Sequence, residues 1–134
     1  MSLPTLTDIL GHPEHNGLYR LPQGATVAGA RILDGRQLTD KPAMLDAIAK
    51  ALTFPAWFGQ NWDALEDSLA DLSWHEGGVA LLIEAADTPE HRAPDDSAML
   101  FDILAGAADY WATEKRPFAV FLRGSHAAYP MIAA

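Results

Sequence analysis

The sequence predicts an α/β fold in which helices pack on a parallel sheet. Segments with strand character alternate with segments of helical periodicity, in the order strand, helix, helix, strand, helix, strand. An alternation of this kind places helices on the faces of a parallel sheet. The chain has 134 residues, of which 49% are apolar, and this is the size and composition of one domain with a substantial core.

The first part of the chain is rich in proline, glycine, histidine and asparagine and shows little periodicity. We interpret residues 1–25 as an N-terminal extension with a short helix over residues 6–10 and a strand over residues 18–21. Gly24 is placed to turn that strand back on the next one, which we predict over residues 26–33.

Two helices follow this strand. The first begins near Asp40, a capping residue, has Pro42 in its first turn and ends before Pro55. The second begins near Asn61, a favoured N-cap residue, and stops near Ser73. Their apolar stripes are Leu45, Ile48 and Leu52 in the first helix, and Trp62, Leu65, Leu69 and Leu72 in the second.

Two more strands are predicted in the second half of the chain. Residues 79–83 form a continuous apolar run, as expected of a strand that is covered on both faces. A polar loop over residues 87–94, which contains Pro89, should follow it. The last strand is predicted over residues 118–122.

A third long helix connects these two strands. Asp95 or Asp96 is placed to cap it, and Arg116 and Pro117 end it. Its apolar residues recur with helical spacing and are Leu100, Ile103, Leu104, Ala107, Ala108 and Trp111.

The charge balance is strongly acidic, with 9 basic and 18 acidic residues and a net charge of −9. Such a balance argues against binding to a nucleic-acid backbone, which depends on lysine and arginine, and favours a basic partner. The acidic residues are also concentrated, because no lysine or arginine occurs between Ala51 and His91. That stretch contains Asp63, Glu66, Asp67, Asp71, Glu76, Glu84, Asp87 and Glu90.

The absence of cysteine excludes a disulfide framework and thiol chemistry. The N-terminal residues lack the basic start and apolar run of a signal peptide, and no apolar run approaches the length of a membrane span. We therefore expect a soluble cytoplasmic protein, without a membrane partner and without a cofactor.

Residues 55–67 carry the most informative pattern, an aromatic loop that leads into a helix loaded with carboxylates. Asp63, Asp67 and Asp71 follow one another at four-residue spacing, with Glu66 among them. Like charges at this spacing share a helix face and destabilise it by about 0.2–0.5 kcal/mol per pair. A helix selected for stability alone would rarely carry them, whereas a helix that must meet a cationic surface would.

This segment resembles the signature of the barstar family, intracellular inhibitors of the ribonuclease barnase. The order of the elements also matches from about Ala30 to Arg123. The resemblance implies a three-stranded parallel sheet packed with helices, to which the N-terminal extension can add a strand. The residues that fill the family pattern are Pro55, Trp57, Phe58, Gly59, Asn61, Trp62, Asp63, Ala64, Leu65 and Asp67.

The resemblance also implies how the chain binds its partner. The aspartates that correspond to Asp63 and Asp67 contact the nuclease in the family, and the second enters the pocket for a substrate phosphate. The first loop aromatic, here Trp57, also contacts the enzyme. Glu114 matches one of two further family acids near the end of the third helix, and the other falls near Asp109 or Tyr110.

The neighbouring residues have plainer interpretations as well. Asn61 is expected to cap the helix, and Gly59 to supply a backbone conformation closed to other residues. Glu66 and Asp71 are either partner contacts or ordinary surface acids. The namesake has a tryptophan where this chain has Glu66, which would fit a different nuclease. The extension and a tail over residues 125–134 have no counterpart in the prototype, and either cap a sheet edge or form a second surface.

Two hypotheses for the function remain open. The favoured one is an immunity-type ribonuclease inhibitor, monomeric, with residues 26–124 as its barstar-like domain and an extracellular-type or toxin ribonuclease as its partner. The alternative is a barstar-fold regulatory or interaction module for another basic partner, or a metal-dependent enzyme. Catalysis is disfavoured because no nucleophile with a base and no phosphate-binding loop occurs. His12 and His15 are only a weak indication of a metal pair.

Overall fold

The structure is a computed structural model that describes residues 3–55, 59–71 and 77–133. The strands within these residues are β1 (Gly17–Leu21), β2 (Arg31–Asp34), β3 (Val79–Glu84) and β4 (Phe118–Arg123). The helices are α1 (Leu6–Ile9), α2 (Lys41–Ala51), α3 (Trp62–Asp71), α4 (Asp87–Arg92) and α5 (Pro94–Thr113). The four strands pair in parallel in the order β1-β4-β3-β2. The predicted fold class is confirmed, and the strand that the extension was expected to add is present.

The sheet is covered on both faces, as its continuous apolar strands predicted. In β4, Phe118, Val120 and Leu122 face a core shared with α2, α3 and α5. Ala119 and Phe121 alternate with them and face a second, smaller core. This alternation follows from the two-residue repeat of a strand, and it explains why the central strand carries almost no polar residue.

The second core is built by the two ends of the chain. Ile9 from α1 and Ile132 from the tail are each only 1% exposed and pack with Phe121 on this face. The tail also bridges the outer side of β1, where Arg20 pairs with Met131. The extension and the tail therefore cap one edge of the sheet and cover its second face.

The predicted pairing of the first two strands is wrong. Gly24 has the positive φ of a turn glycine, 84°, but β1 does not return onto β2. Instead β1 pairs with β4, and β2 lies at the opposite edge of the sheet. The strand predicted over residues 26–33 is also wrong in its bounds, because a turn with Gly29 at φ 78° delays β2 to Arg31.

Two expectations about the segment after β3 are wrong as well. Residues 87–92 form a helix and not a loop, because Pro89 lies in the first turn, where its missing N–H breaks no helical hydrogen bond. Asp95 and Asp96 do not cap α5. That helix begins at Pro94 without a side-chain cap, and both carboxylates lie in its first turn, where the helix dipole favours negative charge.

The helices α2, α3 and α5 lie where they were predicted. Asp40 caps α2 by accepting a hydrogen bond of 2.9 Å from the Ala43 amide. Trp111 of α5 is fully buried, and its indole N–H donates to the Leu69 carbonyl of α3 at 2.8 Å. This bond and the core around it set α5 beside α3. Among the described residues, no helix has the length and apolar character needed to cross a membrane.

Candidate functional site

The acidic helix α3 starts at a well-formed N-cap. The Asn61 side-chain oxygen accepts a hydrogen bond of 2.7 Å from the Ala64 amide, and the Asn61 carbonyl accepts one of 3.0 Å from Leu65. These bonds satisfy amide donors that the first turn of a helix otherwise leaves unpaired. The cap predicted at Asn61 is confirmed, and it fixes the direction in which the following carboxylates project.

The carboxylates of α3 project away from the core. Leu65, Ser68 and Leu69 are the buried residues of this helix, whereas Asp63, Glu66, Asp67 and Asp71 are all exposed. Each residue turns the helix by about 100°, so the three aspartates fall within about 80° of one another and opposite Leu65. The stripe predicted from the four-residue spacing is therefore a real surface of the protein.

The ion pairs found between described residues do not involve the carboxylates of this stripe. Ion pairs within 4.0 Å in the described parts of the chain are His12–Glu14, Arg36–Asp34, Lys50–Asp46 and Arg123–Glu84. None of them includes an acidic residue of α3. The aspartates of α3 consequently present their charge to solvent, and they repel one another along the helix.

The C-terminal part of the stripe, which contains Asp67 and Asp71, borders an open groove between α3 and the end of α5. The groove has a volume of about 580 Å³. Its lining residues are Asp67, Ala70, Asp71, Tyr110, Glu114 and Arg116. Three of these side chains are carboxylates from two different helices, so the fold brings together acids that are separated by more than forty positions in the sequence. A groove with this lining is suited to receive cationic groups.

The α5 wall of the groove is ordered by a hydrogen bond between two of its residues. The Tyr110 hydroxyl donates to Glu114 Oε1 at 3.1 Å. This bond to Glu114 raises the pKa of the Tyr110 phenol above its usual value, since the carboxylate stabilises the protonated hydroxyl. Tyr110 is 46% exposed, so its ring forms part of the surface that a partner would meet.

The helix end carries Arg116 back toward the groove. Lys115 adopts a left-handed conformation with φ 58°. The Lys115 amide donates to the Ala112 carbonyl at 3.0 Å, and the Arg116 amide donates to the Trp111 carbonyl at 2.9 Å. These two bonds form a Schellman motif. The turn places the Arg116 guanidinium 3.9 Å from the centre of the Trp111 ring.

The structure gathers some of the predicted binding residues and leaves others apart. Asp67, Asp71 and Glu114 line the groove together. Asp63 and Glu66 are exposed on the same helix but do not line it. Trp57 lies outside the described residues. The conformation predicted for Gly59 depends on residue 58, which also lies outside them, and a side chain at Gly59 would meet only ordinary contacts at 3.7 Å.

Two polar groove residues, Tyr110 and Arg116, are not among the binding residues predicted from the sequence. In the sequence, Tyr110 is one of two alignments for a family acid, and Arg116 marks the end of a helix. The helical spacing of residues in the sequence does not predict that Arg116 lines the groove. The Schellman motif after the end of α5, and not a helical repeat, brings it there. For Tyr110, the i, i+4 spacing to Glu114 is a signal that the sequence does contain.

The weak metal motif in the extension is not assembled into a metal centre. His12 Nδ1 lies 3.4 Å from Glu14 Oε1, and both side chains are largely exposed. In the parts of the chain that the structure describes, no three histidine, aspartate or glutamate side chains are close enough together to hold a metal ion.

The structure defines an α/β domain with an exposed acidic helix and a groove that three carboxylates line, an arrangement suited to a cationic partner. The comparison with known families makes the assignment narrower. A family model described as barstar (barnase inhibitor) matches residues 29–123, and the chain belongs to this family. The match agrees with the range of about Ala30 to Arg123 over which the order of the elements resembles the family. A search of curated proteins gives no match.

Proposed function

We propose that this protein is a cytoplasmic, immunity-type inhibitor of a ribonuclease and not an enzyme. The observation that carries the proposal is the convergence of Asp67, Asp71 and Glu114 on one open groove, together with the exposure of all three carboxylates. The barnase-inhibitor description of the matching family supports the same function.

The charge of the groove fits the chemistry of a ribonuclease active site. Such a site must bind a polyanion, so it presents arginine, lysine or histidine side chains. A carboxylate resembles two oxygens of a phosphate and accepts paired hydrogen bonds from a guanidinium. Complementary charge also accelerates the encounter of the two proteins. An inhibitor of this kind therefore blocks the nuclease by occupying the positions of substrate phosphates.

Each residue of the site has a separate part in this proposal. Asp67 lies on both the stripe and the groove, and it enters the phosphate pocket of the nuclease. Asp63 contacts the nuclease one turn earlier on α3, while Glu114 contacts it from the α5 wall. Asp71 and Glu66 complete the acidic surface around these contacts, and Trp57 is a further anchor. Asn61 and Gly59 act indirectly by setting the start of α3.

The organisation of the chain follows from the same proposal. Residues 26–124 are the unit that recognises the nuclease, and the protein acts as a monomer. The described parts of the extension and the tail, residues 3–25 and 125–133, complete the second core and cover the face of the sheet opposite α3 and α5. The partner is a protein, an extracellular-type or toxin ribonuclease that would damage the cell's own RNA if it were not inhibited.

Capture of the partner tests this function directly. The full chain is immobilised, and bound proteins from a lysate of the source cells are identified and assayed for RNA cleavage, with barnase as a defined reference nuclease. We expect to capture a ribonuclease whose activity falls in proportion to the inhibitor that is added. The activity should recover when an excess of RNA competes for the active site. Retention of basic proteins without ribonuclease activity, and no inhibition of barnase, would contradict the proposal.

A further inference from the structure

Arg116 is a cation in a groove that it shares with three carboxylates, those of Asp67, Asp71 and Glu114, and three separate features hold it there. Its guanidinium stacks on Trp111 at 3.9 Å, and its amide closes the Schellman motif at the end of α5. Its carbonyl accepts a hydrogen bond of 2.8 Å from the Asn16 side-chain amide. Its position therefore does not depend on a partner.

Asn16 makes this arrangement rigid. Its amide nitrogen also donates to the Ala108 carbonyl at 3.0 Å, and its side-chain oxygen accepts from the Phe118 amide at 2.7 Å. One side chain from the N-terminal extension thus joins α5, the Arg116 turn and the start of β4. Asn16 is a positioning residue for the α5 wall, although it precedes the segment that matches the family.

We propose that Arg116 sets the selectivity of the groove by limiting its attraction for cations. The inference rests on the proposed function, because it concerns the partner of the same site. Three carboxylates and one guanidinium line the groove, so an isolated cation that enters it meets both attraction and repulsion. A partner that also places cations on Asp63 and Glu66 gains further attraction away from Arg116. The groove accordingly favours a nuclease with several arranged cations over an unrelated basic chain.

The test compares three full-length variants with the wild-type protein. Arg116→Gln removes the groove cation, and Arg116→Lys keeps its charge. Arg36→Gln makes the same change in net charge at a different groove, where Arg36 lies with Ile32 and Asp34. A hexa-arginine peptide is the probe, and calorimetry at low and at high salt gives its affinity. Circular dichroism establishes that each variant is folded.

We expect Arg116→Gln to bind the peptide about two- to fivefold more tightly than the wild-type protein at low salt, as one partly exposed charge permits. High salt should remove most of the gain. Arg116→Lys should match the wild type, and Arg36→Gln should show a smaller gain. Equal affinities of Arg116→Gln and Arg36→Gln, including no binding by either, would overturn the inference. This assay contains no nuclease, so its failure is distinct from failure of the proposed inhibition.

Discussion

The link between the N-terminal extension and the site can be tested by replacing Asn16 with alanine. The substitution removes the three side-chain hydrogen bonds, with lengths of 2.7, 2.8 and 3.0 Å. Each such bond contributes about 0.5–1.5 kcal/mol net. Asn16 is only half-buried, so water can replace some of the lost hydrogen bonds. We therefore expect the substitution to lower the free energy of unfolding by about 2–3 kcal/mol.

Urea denaturation of the full chain gives this quantity. The midpoint should fall while the slope of the unfolding free energy against urea stays unchanged, since the exposed surface is the same. Asn61→Ala is a matched control, because it removes an asparagine that makes one capping bond and should cost about 1 kcal/mol. Ordinary surface substitutions change the free energy of unfolding by less than about 0.5 kcal/mol. A loss in that range for Asn16→Ala would refute the positioning role of Asn16.

Two further predictions concern charge and protonation. Replacing Asp67 by asparagine removes two like-charge neighbours at four-residue spacing, so it should stabilise the protein by about 0.4–1 kcal/mol in urea denaturation; a loss of stability would show that the carboxylate is satisfied within the chain. Burial raises the pKa of Tyr19 and Tyr129, and the bond to Glu114 raises that of Tyr110. The neutral phenols are thus favoured in the folded state, and their stabilisation is complete below about pH 10 and lost as the pH rises through the raised pKa values. Tyrosinate absorbance should appear at higher pH in the folded protein than in urea, and coincident titrations would contradict this.

The parts of the fold that follow a local repeat could be predicted from the sequence. The apolar stripes of α2, α3 and α5 and the apolar strands β3 and β4 each carry a clear period. The cap at Asn61 and the aspartate stripe also depend only on neighbouring residues. These elements account for the acidic surface, and the family motif is the basis of the function proposed for it.

The errors came from features that depend on distant parts of the chain. A turn at Gly24 does not reveal that β1 pairs with β4. The pairing partner of β1 is decided by strands that lie far away in the sequence. Pro89 indicated a loop, yet the first turn of a helix accepts proline. Arg116 could not be assigned to the groove, because its position results from Trp111, the helix-ending turn and a side chain a hundred positions away.

The central claim is that the carboxylate of Asp67 stands in for a substrate phosphate in a nuclease. The most direct measurement is the dissociation constant of Asp67→Ala for the captured ribonuclease. Asp46→Ala is the control, because the Asp46 side chain is half-exposed on α2, where it pairs with Lys50. We expect Asp67→Ala to weaken binding by more than about 2 kcal/mol, as is typical at the centre of an interface, and the control to stay within about 0.5 kcal/mol of the wild type. Equal small losses for both variants would contradict it.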